Sequence, residues 1–414
     1  MLGTREGRAR LTAFVGLIGM AAVAATAAGC AWGPGSPSSG PSSSPSRAAA
    51  TAVPTTTPSA HASPTTVPGE PWAGIAWSSA ATANLPWDGE PDQLVDWKGG
   101  YLGLGAAGGH TVVARSSDLV DWEVTASGDE VPFEANGFSQ LIAGPDLLVA
   151  IHPKDGITRA GLWTSADGAT WSASSSTPSG FTDLTGAAVG KEGILALAYL
   201  GWQKPAMWLS QTGKDWKQVD MSGPEFASAN LNAVFAVRGG FVVTGGLGGS
   251  EPAGIGDPGG RPCAWWSADG LRWTLASVPQ MGQAMRMSTV YPAARGYVAE
   301  GFRMGLWSSA DGRKWNALSK TPWNAANFDV TFYADGDHVV ALTSPLGADG
   351  PVAMWSTVDG SNWQALPMSG GRGISDHLPD KVLVTADGVV FLETSTDSGD
   401  RHVLVLRARA VLSQ

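Results

Sequence analysis

Cysteine is nearly absent from this 414-residue sequence, which contains only Cys30 and Cys263. Cys30 ends an apolar N-terminal segment, so the rest of the chain holds one thiol and forms no internal disulfide if Cys30 is modified. The folded part must therefore be stabilised by packing. Cys263 stands two residues before Trp265 in a strand-like run, which predicts a small buried apolar side chain and not a reactive thiol.

Several signatures of catalysis are missing as well. The six histidines include no His-Glu-x-x-His string and no pair at metal-ligand spacing, which leaves a zinc enzyme without support. The run Gly103-Leu-Gly105-Ala-Ala-Gly108 matches a dinucleotide-binding pattern, but a strand-like run follows it where a helix is required. We attribute that match to chance in a chain with 55 glycines. The sequence therefore predicts neither a metal nor a cofactor.

Positive charge is outnumbered, with 26 Lys and Arg against 36 Asp and Glu and a formal net charge of −10. Removal of the first 29 residues takes away three Arg and one Glu and shifts the net charge to −12. This balance argues against nucleic acid and anionic lipid headgroups as partners. It does not select a positively charged partner, because exported domains are often acidic for solubility alone.

The N-terminus has the pattern of an export signal. Three arginines within the first ten residues precede an apolar run at 11–28. The string Ala27-Ala28-Gly29 before Cys30 resembles the lipobox of bacterial lipoproteins, although Leu is commoner at the first position. The resemblance implies that residues 1–29 are removed, that Cys30 is diacylated, and that the lipid holds the protein to the outer face of the cytoplasmic membrane. An ordinary cleaved signal and an uncleaved signal anchor are the alternatives.

Residues 30–70 begin with Cys30 and continue almost entirely as Pro, Ser, Thr, Ala and Gly with no apolar periodicity. This composition predicts a disordered tether. A flexible tether of this length reaches roughly 35 Å, and one in polyproline conformation up to about 120 Å. We expect it to lift residues 71–414, the folded domain, clear of the membrane.

A block that reads W-x-[ST]-x-D-G-x-x-W recurs six times in that domain. The best copies span 163–171, 265–273, 307–315 and 355–363, while the copy ending at Trp122 has lost the Gly and the copy ending at Trp216 has lost the Asp. The pattern predicts a strand, a tight turn and a second strand. In such a turn the Asp accepts hydrogen bonds from backbone N–H groups, and the Gly supplies a positive φ. The Trp residues are expected to join one hairpin to the next.

The closing Trp residues recur every 42 to 57 residues, a period typical of stacked repeats. Two further strand-like runs precede each block, as at 232–237 and 240–245. Four short strands per repeat with Gly-rich turns predict the blades of an all-β propeller.

The block resembles the Asp-box, or BNR, repeat of sialidase-like β-propellers, in a form with one residue fewer between Asp and Gly. In that family the boxes lie on the face away from the active site and serve folding. The resemblance implies a structural role for the following residues: Ser116, Asp118, Trp122, Ser165, Asp167, Trp171, Ser210, Trp216, Ser267, Asp269, Trp273, Ser309, Asp311, Trp315, Thr357, Asp359 and Trp363.

Six blades carry a block, at about 92–127, 137–176, 181–222, 229–277, 287–319 and 327–367. A seventh needs both ends of the domain, with C-terminal runs at 381–385, 389–393 and 402–406 and an N-terminal run at 74–79. Pairing these ends closes the ring and removes exposed strand edges. The sequence predicts seven four-stranded antiparallel blades, with six or eight as alternatives.

Function is expected on the face opposite the boxes, where the loops between second and third strands lie. The longest of these loops runs from 245 to 262 and suggests a lid or a partner contact. Exposed Trp beside Lys or Arg can stack on a sugar or anchor a peptide. The candidate binding residues on this face are His152, Arg159, Trp202, Lys204, Arg303, Trp323, Arg372 and His377.

The enzyme hypothesis finds little support. Sialidases need an arginine triad, a Tyr–Glu pair, an acid/base Asp and a Phe/Tyr-Arg-Ile-Pro motif, and Phe302-Arg303-Met304-Gly305 is the nearest string. A glycosidase with paired carboxylates needs two acids about 5 to 10 Å apart in a cleft. Candidates near the starts of inner strands are Asp96, Glu134, Asp183 and Asp329.

The sequence therefore favours a non-catalytic, monomeric lipoprotein propeller that binds or scaffolds an envelope protein or glycan. The alternative is a glycan-active hydrolase whose carboxylate site the sequence does not reveal. A third interpretation, an assembly factor for a membrane complex, rests on fold-level resemblance to propellers of photosynthetic organisms.

Overall fold

The computed structural model describes most of the predicted domain. The described residues are 70–78, 81–133, 140–153, 160–174, 184–200, 204–248, 260–282, 286–302, 305–323, 328–345, 352–368, 379, 381–395 and 402–412. The predicted export signal, Cys30 and the tether up to residue 69 lie outside them. Across these residues no helix has the length and apolar character needed to cross a membrane.

The chain folds into seven antiparallel sheets, six of which are continuous in sequence. Blade 1 comprises β3 (Gln93–Trp97), β4 (Gly100–Ala107), β5 (His110–Ser116) and β6 (Glu123–Ser127). Blade 2 comprises β7 (Gln140–Ala143), β8 (Leu148–Pro153), β9 (Ala160–Ser165) and β10 (Ser172–Ala173). Blade 3 comprises β11 (Leu184–Gly190), β12 (Gly193–Leu200), β13 (Lys204–Ser210) and β14 (Lys217–Gln218). Blade 4 comprises β15 (Ala229–Val237), β16 (Gly240–Leu247), β17 (Arg261–Ser267) and β18 (Thr274–Leu275). Blade 5 comprises β19 (Met287–Ala293), β20 (Gly296–Gly301), β21 (Gly305–Ser309) and β22 (Trp315–Ala317). Blade 6 comprises β23 (Phe328–Ala334), β24 (Val339–Pro345), β25 (Ala353–Thr357) and β26 (Gln364–Leu366). Two short 3₁₀ helices, Gly128–Glu130 and Pro224–Phe226, follow β6 and β14.

Blade 7 joins the two ends of the domain, as the sequence predicts. Its strands are β27 (Lys381–Thr385), β28 (Gly388–Ser395), β29 (His402–Leu412) and the N-terminal β1 (Trp72–Trp77), in the order β27-β28-β29-β1. The short β2 (Ala81–Thr82) also pairs with β29. This pairing gives β29 a neighbour on both sides and closes the ring.

The first strand of each blade contacts the first strand of the next, and β27 contacts β3 to complete the circle. Seven blades of four-stranded antiparallel sheet are therefore confirmed. We call the face with the turns between third and fourth strands the lower face, and the opposite one the upper face. The hairpin turns between first and second strands also lie on the lower face, because successive strands are antiparallel.

The repeated turns have the geometry predicted from their residues. In blade 2, Asp167 Oδ1 accepts hydrogen bonds from the N–H groups of Ala169 (2.9 Å) and Thr170 (2.7 Å). The Gly168 N–H donates to Ser165 Oγ at 2.8 Å. Blades 4, 5 and 6 repeat these bonds around Asp269, Asp311 and Asp359. The side chains of each turn thus accept hydrogen bonds from the backbone N–H groups of the same turn.

The two degraded copies differ in instructive ways. In blade 3, Gly213 still donates to Ser210 Oγ at 2.9 Å, but Thr212 has no carboxylate for the following N–H groups. In blade 1, Leu119 occupies the glycine position with φ 61°, whereas Gly270 in blade 4 has φ 72°. A non-glycine residue pays a steric cost there. The Leu119 side chain is fully buried, which offsets that cost.

Apolar residues are organised as separate clusters, one between each pair of neighbouring blades. The cluster between blades 3 and 4 contains Phe241, Trp265 and Trp273, and Trp265 is completely buried. The Trp265 indole N–H donates to the Glu225 carbonyl at 2.7 Å. The Cys263 side chain is buried in the same cluster, and burial raises the pKa of its thiol to about 11. The joining role of the Trp residues and the burial of Cys263 are confirmed.

The chain enters the domain on the lower face. The Trp72 ring stacks on the buried His338 ring at a centroid distance of 4.1 Å. His338 Nε2 lies 3.2 Å from the Glu70 carbonyl oxygen, and Nδ1 lies 3.3 Å from Asp335 Oδ2. Because Asp335 and His338 belong to the hairpin turn before β24, these contacts place residue 70 at the lower side of blade 6.

Candidate functional site

The upper end of the central channel is surrounded by residues at or next to the start of each of the seven inner strands. We call this set the upper mouth. From blade 1 to blade 7 its members are Asp92, Gln140, Thr185, Asn230, Arg286, Asp329 and Lys381. The charged members alternate in sign over blades 5, 6, 7 and 1, whereas blades 2 to 4 contribute uncharged polar groups. One side of the upper mouth is therefore suited to charged ligands.

Arg286 is the most perturbed cation of the upper mouth. Its side chain is half-buried, and its buried Nε atom has no hydrogen-bond partner in the described part of the chain. Burial lowers the pKa of Arg286, and the nearby Tyr199 opposes this shift. The guanidinium carbon lies 5.3 Å from the ring centroid of Phe302, which follows β20 and is 40% exposed. An exposed aromatic ring over a partly desolvated guanidinium is a surface from which a partner can exclude water.

Tyr199 links blades 3 and 4 beside this cation. Its hydroxyl lies 2.9 Å from Asn230 Oδ1 and also contacts the Leu231 carbonyl oxygen. Burial raises the pKa of Tyr199, so the hydroxyl remains a neutral hydrogen-bond donor at physiological pH. The polar edge next to Arg286 is thus fixed by backbone and side-chain bonds.

A carboxyl group lies deeper in blade 5. The Tyr291 hydroxyl donates to Glu300 Oε1 at 2.8 Å, and the Tyr291 ring packs 5.4 Å from Phe332 of blade 6. Burial raises the pKa of Glu300. Burial and the Glu300 carboxylate both raise the pKa of Tyr291. A carboxyl group with a raised pKa has the property required of a general acid.

Blades 7 and 1 meet at the upper mouth through Lys381 and Asp92. The Lys381 ammonium donates to the Asp92 backbone carbonyl at 3.1 Å. Burial raises the pKa of the Asp92 carboxyl, and the charge of Lys381 partly reverses that shift. This contact fixes the upper end of the interface where the ring closes.

Most of the binding residues predicted from the sequence are not described. Arg159, Trp202, Arg303, Arg372 and His377 lie outside the described residues, as do the side chain of His152 and loop residues 249–259. Lys204 is exposed at the upper end of β13 and borders a groove of about 460 Å³ next to β14.

Trp323 requires a correction. The sequence suggests an exposed loop side chain, but Trp323 is 5% exposed. Its ring centroid lies 5.0 Å from that of Trp363 and 6.1 Å from that of Phe332. The loop between blades 5 and 6 turns this ring inward to fill their interface, so Trp323 offers no surface for stacking on a ligand.

Two of the candidate acids are located by the structure. Asp329 is exposed at the upper end of β23, as expected. Asp96 was expected near the start of an inner strand, but it lies at the lower end of β3, opposite Tyr101 and next to the hairpin turn. Glu134 and Asp183 lie outside the described residues. Within the described ranges, no three His, Cys, Asp or Glu side chains come together to hold a metal ion.

The sequence analysis did not single out Arg286, Tyr199 or Phe302 as a group. Arg286 precedes a strand of the central ring, and a charged residue there is a recognisable signal for a channel mouth. Tyr199 lies inside a strand-like run, where no local pattern marks it as a functional side chain. Its meeting with Arg286 depends on how blades 3 and 5 are placed around the ring, which no local pattern encodes.

Comparison with known proteins adds only fold-level information. No protein-family model and no curated protein sequence matches the chain. A structure of YCF48 from Cyanidioschyzon merolae is 13% identical with a TM-score of 0.44, and the match covers 80% of this chain and 99% of that one. A structure of YCF48 bound to D1 peptide is 12% identical with a TM-score of 0.46, covering 82% and 96%. The β-propeller domain of the trilobed protease from Pyrococcus furiosus is 13% identical with a TM-score of 0.45, covering 83% and 97%.

Proposed function

We propose that this chain is a non-catalytic binding module of the cell envelope, which recognises a protein partner at its upper mouth. The observation that carries the proposal is the exposed Phe302 ring over the half-buried guanidinium of Arg286. Aromatic residues and Arg supply a large share of binding energy at protein interfaces when a partner completes their desolvation. The buried Nε atom of Arg286 has no hydrogen-bond partner among the described residues, so the burial of this cation is incompletely compensated.

The surroundings favour a protein segment with mixed chemistry. An apolar group of the partner can cover Phe302, and an acidic or carbonyl group can approach Arg286. Asp329 and Lys381 in the next two blades add charges of alternating sign that fix the orientation of a peptide.

We further propose that the protein is a lipoprotein, anchored through Cys30 on the outer side of the cytoplasmic membrane. The proposal rests on the export signal and on the position of Glu70 at the lower face. A tether that joins at the lower face leaves the upper mouth directed away from the membrane. Substitution Cys30→Ala should abolish incorporation of a labelled fatty acid, and undiminished labelling of the variant would contradict the anchor.

Cross-linking in intact cells tests the binding function. A photo-reactive residue at position 302 should yield one dominant protein adduct, and Arg286→Gln should reduce its yield at least tenfold. Val124 is the matched control, because it is also a large apolar residue, is 48% exposed and lies on the outer strand β6. Equal adducts from positions 302 and 124, or no effect of Arg286→Gln, would refute a specific site at the upper mouth.

A second candidate function follows from the Tyr291–Glu300 pair. A Tyr and a Glu in hydrogen-bond contact are components of a sialidase-like site, and the raised pKa of Glu300 is suited to acid catalysis. The Tyr291 ring, however, packs against Phe332 of blade 6, which restricts the approach of a substrate. Hydrolysis of fluorogenic glycosides that disappears in Tyr291→Phe would establish this alternative and overturn the non-catalytic proposal.

A further inference from the structure

A second polar cavity lies on the lower face, at the interface where blade 7 meets blade 1. Its volume is about 250 Å³. The side chains that give it chemical character are those of Asp96, Tyr101, Ser117, Asp387, Arg407 and Arg409. We call it the closing cavity. It is remote from the upper mouth, because its residues come from lower hairpin turns and from the lower half of β29.

The cavity occurs where the repeated packing between blades is interrupted. In the third strand of a blade, the residue before the turn Ser or Thr packs against the glycine of the next turn. Leu209 packs in this way on Gly270, and Trp266 on Gly312. Arg407 holds the same register position in blade 7, paired with Val390 as Trp266 is with Val242. The turn it faces in blade 1 has Leu119 in place of the glycine.

Arg407 is a half-buried cation whose charge helps to lower the pKa of the Asp118 carboxyl in the facing turn of blade 1. Its Nη2 atom is buried without a hydrogen-bond partner, and within the described residues its guanidinium forms no ion pair. Arg115, at the same position in blade 1, instead lies 5.3 Å from the Trp97 ring centroid. Arg409, two residues along β29, is exposed at the rim. Half-burial of the Arg407 guanidinium without an ion pair costs free energy. Arg407 and Arg409 lie on the same face of β29, and two guanidinium groups side by side are suited to bind an oxyanion.

The other end of the closing cavity has the opposite charge. Asp96 is exposed over much of its surface, yet partial burial of its carboxyl group raises its pKa, as does repulsion from Asp335 and Asp387. A cation placed there would relieve this repulsion. Tyr101 lies between the two ends: burial and Asp96 raise its pKa, whereas Arg407 lowers it. The cavity is thus positive on the side of β29 and negative towards the channel axis.

We propose that the closing cavity binds a small zwitterion, with an oxyanion held by Arg407 and Arg409 and an ammonium group beside Asp96 and Asp387. The volume of about 250 Å³ leaves room for a small ligand and excludes a macromolecular segment from the cavity itself. The oxyanion is a carboxylate or a phosphate, since a guanidinium pairs with either.

Isothermal titration of the full chain tests this site. The probes are 4-aminobutyrate and O-phosphoethanolamine, with butyrate, inorganic phosphate and ethanolamine as controls of one charge each. At least one zwitterion should bind with a millimolar or lower Kd, at least tenfold more tightly than any control. The stronger probe identifies the oxyanion as a carboxylate or a phosphate.

Variants locate the binding. Arg407→Gln and Asp96→Asn should each weaken zwitterion binding at least tenfold, while Arg115→Gln, the matched control in blade 1, should leave it unchanged. If Arg407→Gln does not fold, as judged by circular dichroism, the exposed Arg409→Gln and Asp96→Asn carry the test. Binding of phosphate alone as tight as that of the zwitterions, no saturable binding, or equal losses in Arg115→Gln would each overturn the proposal.

Discussion

The interface between blades 3 and 4 and the interface between blades 7 and 1 are built from the same fold but by different means. The first is filled by aromatic and aliphatic side chains, with Phe241 and Trp265 completely buried. The second has Leu119 as its largest completely buried side chain, together with aliphatic residues of β28 and β29, and Trp122 is only partly buried. It also contains the closing cavity. The interface between blades 7 and 1 is therefore the more polar of the two.

This difference shows that ring closure depends on a different kind of interaction. Between blades 3 and 4, neighbouring repeats supply all the contacts, so apolar burial alone suffices. The ring is instead closed by backbone pairing of β1 with β29 inside blade 7. Between blades 7 and 1, polar contacts such as that of Lys381 with Asp92 accompany the aliphatic cluster.

The largest effect should come from breaking the closure itself. Deletion of residues 70–77 removes β1 and exposes the edge of β29, so we expect loss of the cooperative thermal transition and the appearance of oligomers. Circular dichroism and size-exclusion chromatography measure both. Deletion of eight tether residues, 50–57, is the control of equal length. A monomeric, cooperatively folded 70–77 deletion would show that β1 is dispensable.

The regular interface should be the more sensitive of the two to loss of an aromatic ring. Trp265→Ala should lower the free energy of unfolding by about 3 to 5 kcal/mol, because it empties a fully buried position. Trp122→Ala should cost clearly less, since its ring is partly exposed. Urea unfolding of both variants makes the comparison. Equal losses would contradict the distinction between the interfaces.

A reciprocal exchange at the turns sharpens the comparison. Gly270→Leu forces a side chain into a position with φ 72° and within 2.9 Å of Leu209, so we expect a loss of about 2 to 5 kcal/mol. Leu119→Gly relieves backbone strain but removes a buried side chain, so its net cost should be smaller, about 1 to 3 kcal/mol. Chemical denaturation measures both. A more stable Leu119→Gly variant would show that strain, not burial, dominates at the closing interface.

The turn carboxylates should make stability depend on acid. The backbone N–H of Thr170, followed by that of Ala169, outweighs burial and lowers the pKa of Asp167 to about 2. Because this folded-state pKa is below the ordinary value, the stabilisation is complete above about pH 4 and is lost as the pH falls towards 2. Thermal melting from pH 7 to pH 2 should show Asp167→Asn with a weaker pH dependence than the parent. Parallel curves would contradict this role.

Blade 3 offers the converse experiment, with a smaller expected effect. Thr212→Asp restores the missing carboxylate beside the N–H groups of Lys214 and Asp215 and should stabilise the protein by about 1 kcal/mol at pH 7. The gain should disappear in acid. Urea unfolding at pH 7 and pH 3 measures it, and Thr212→Asn is the matched variant without the charge. No gain over Thr212→Asn would show that the turn is already satisfied.

Much of the fold could be predicted because each hairpin is encoded locally. The Ser-x-Asp-Gly spacing predicts the hydrogen bonds of Asp167 and the positive φ of Gly168, and the strand-like runs at both ends predict the pairing of β1 with β29. The candidate site could not be predicted in the same way. Lys381 contacts Asp92, from which it is separated by 289 positions in sequence, and such long-range contacts depend on the size and closure of the ring.

Trp323 was predicted to be an exposed binding residue and is instead buried. A Trp in a polar loop suggests an exposed binding residue, but between two blades the loop lies over a gap that only a large ring can fill. Position in a local segment therefore did not predict burial. Leu119 is a similar case. It is buried by side chains of β28 and β29, which lie more than 250 residues further along the chain.

The attachment of β1 has a mechanical consequence. Residue 70 leads into the lower end of β1, and β1 is paired along its length with β29. A pull transmitted along the preceding segment in the direction of β1 loads the hydrogen bonds of this pair together, in shear, and does not open them one after another. The stacking of Trp72 on His338 lies at the point where such a force first acts. The strand that closes the ring is thus also suited to bear tension between an anchor and a bound partner.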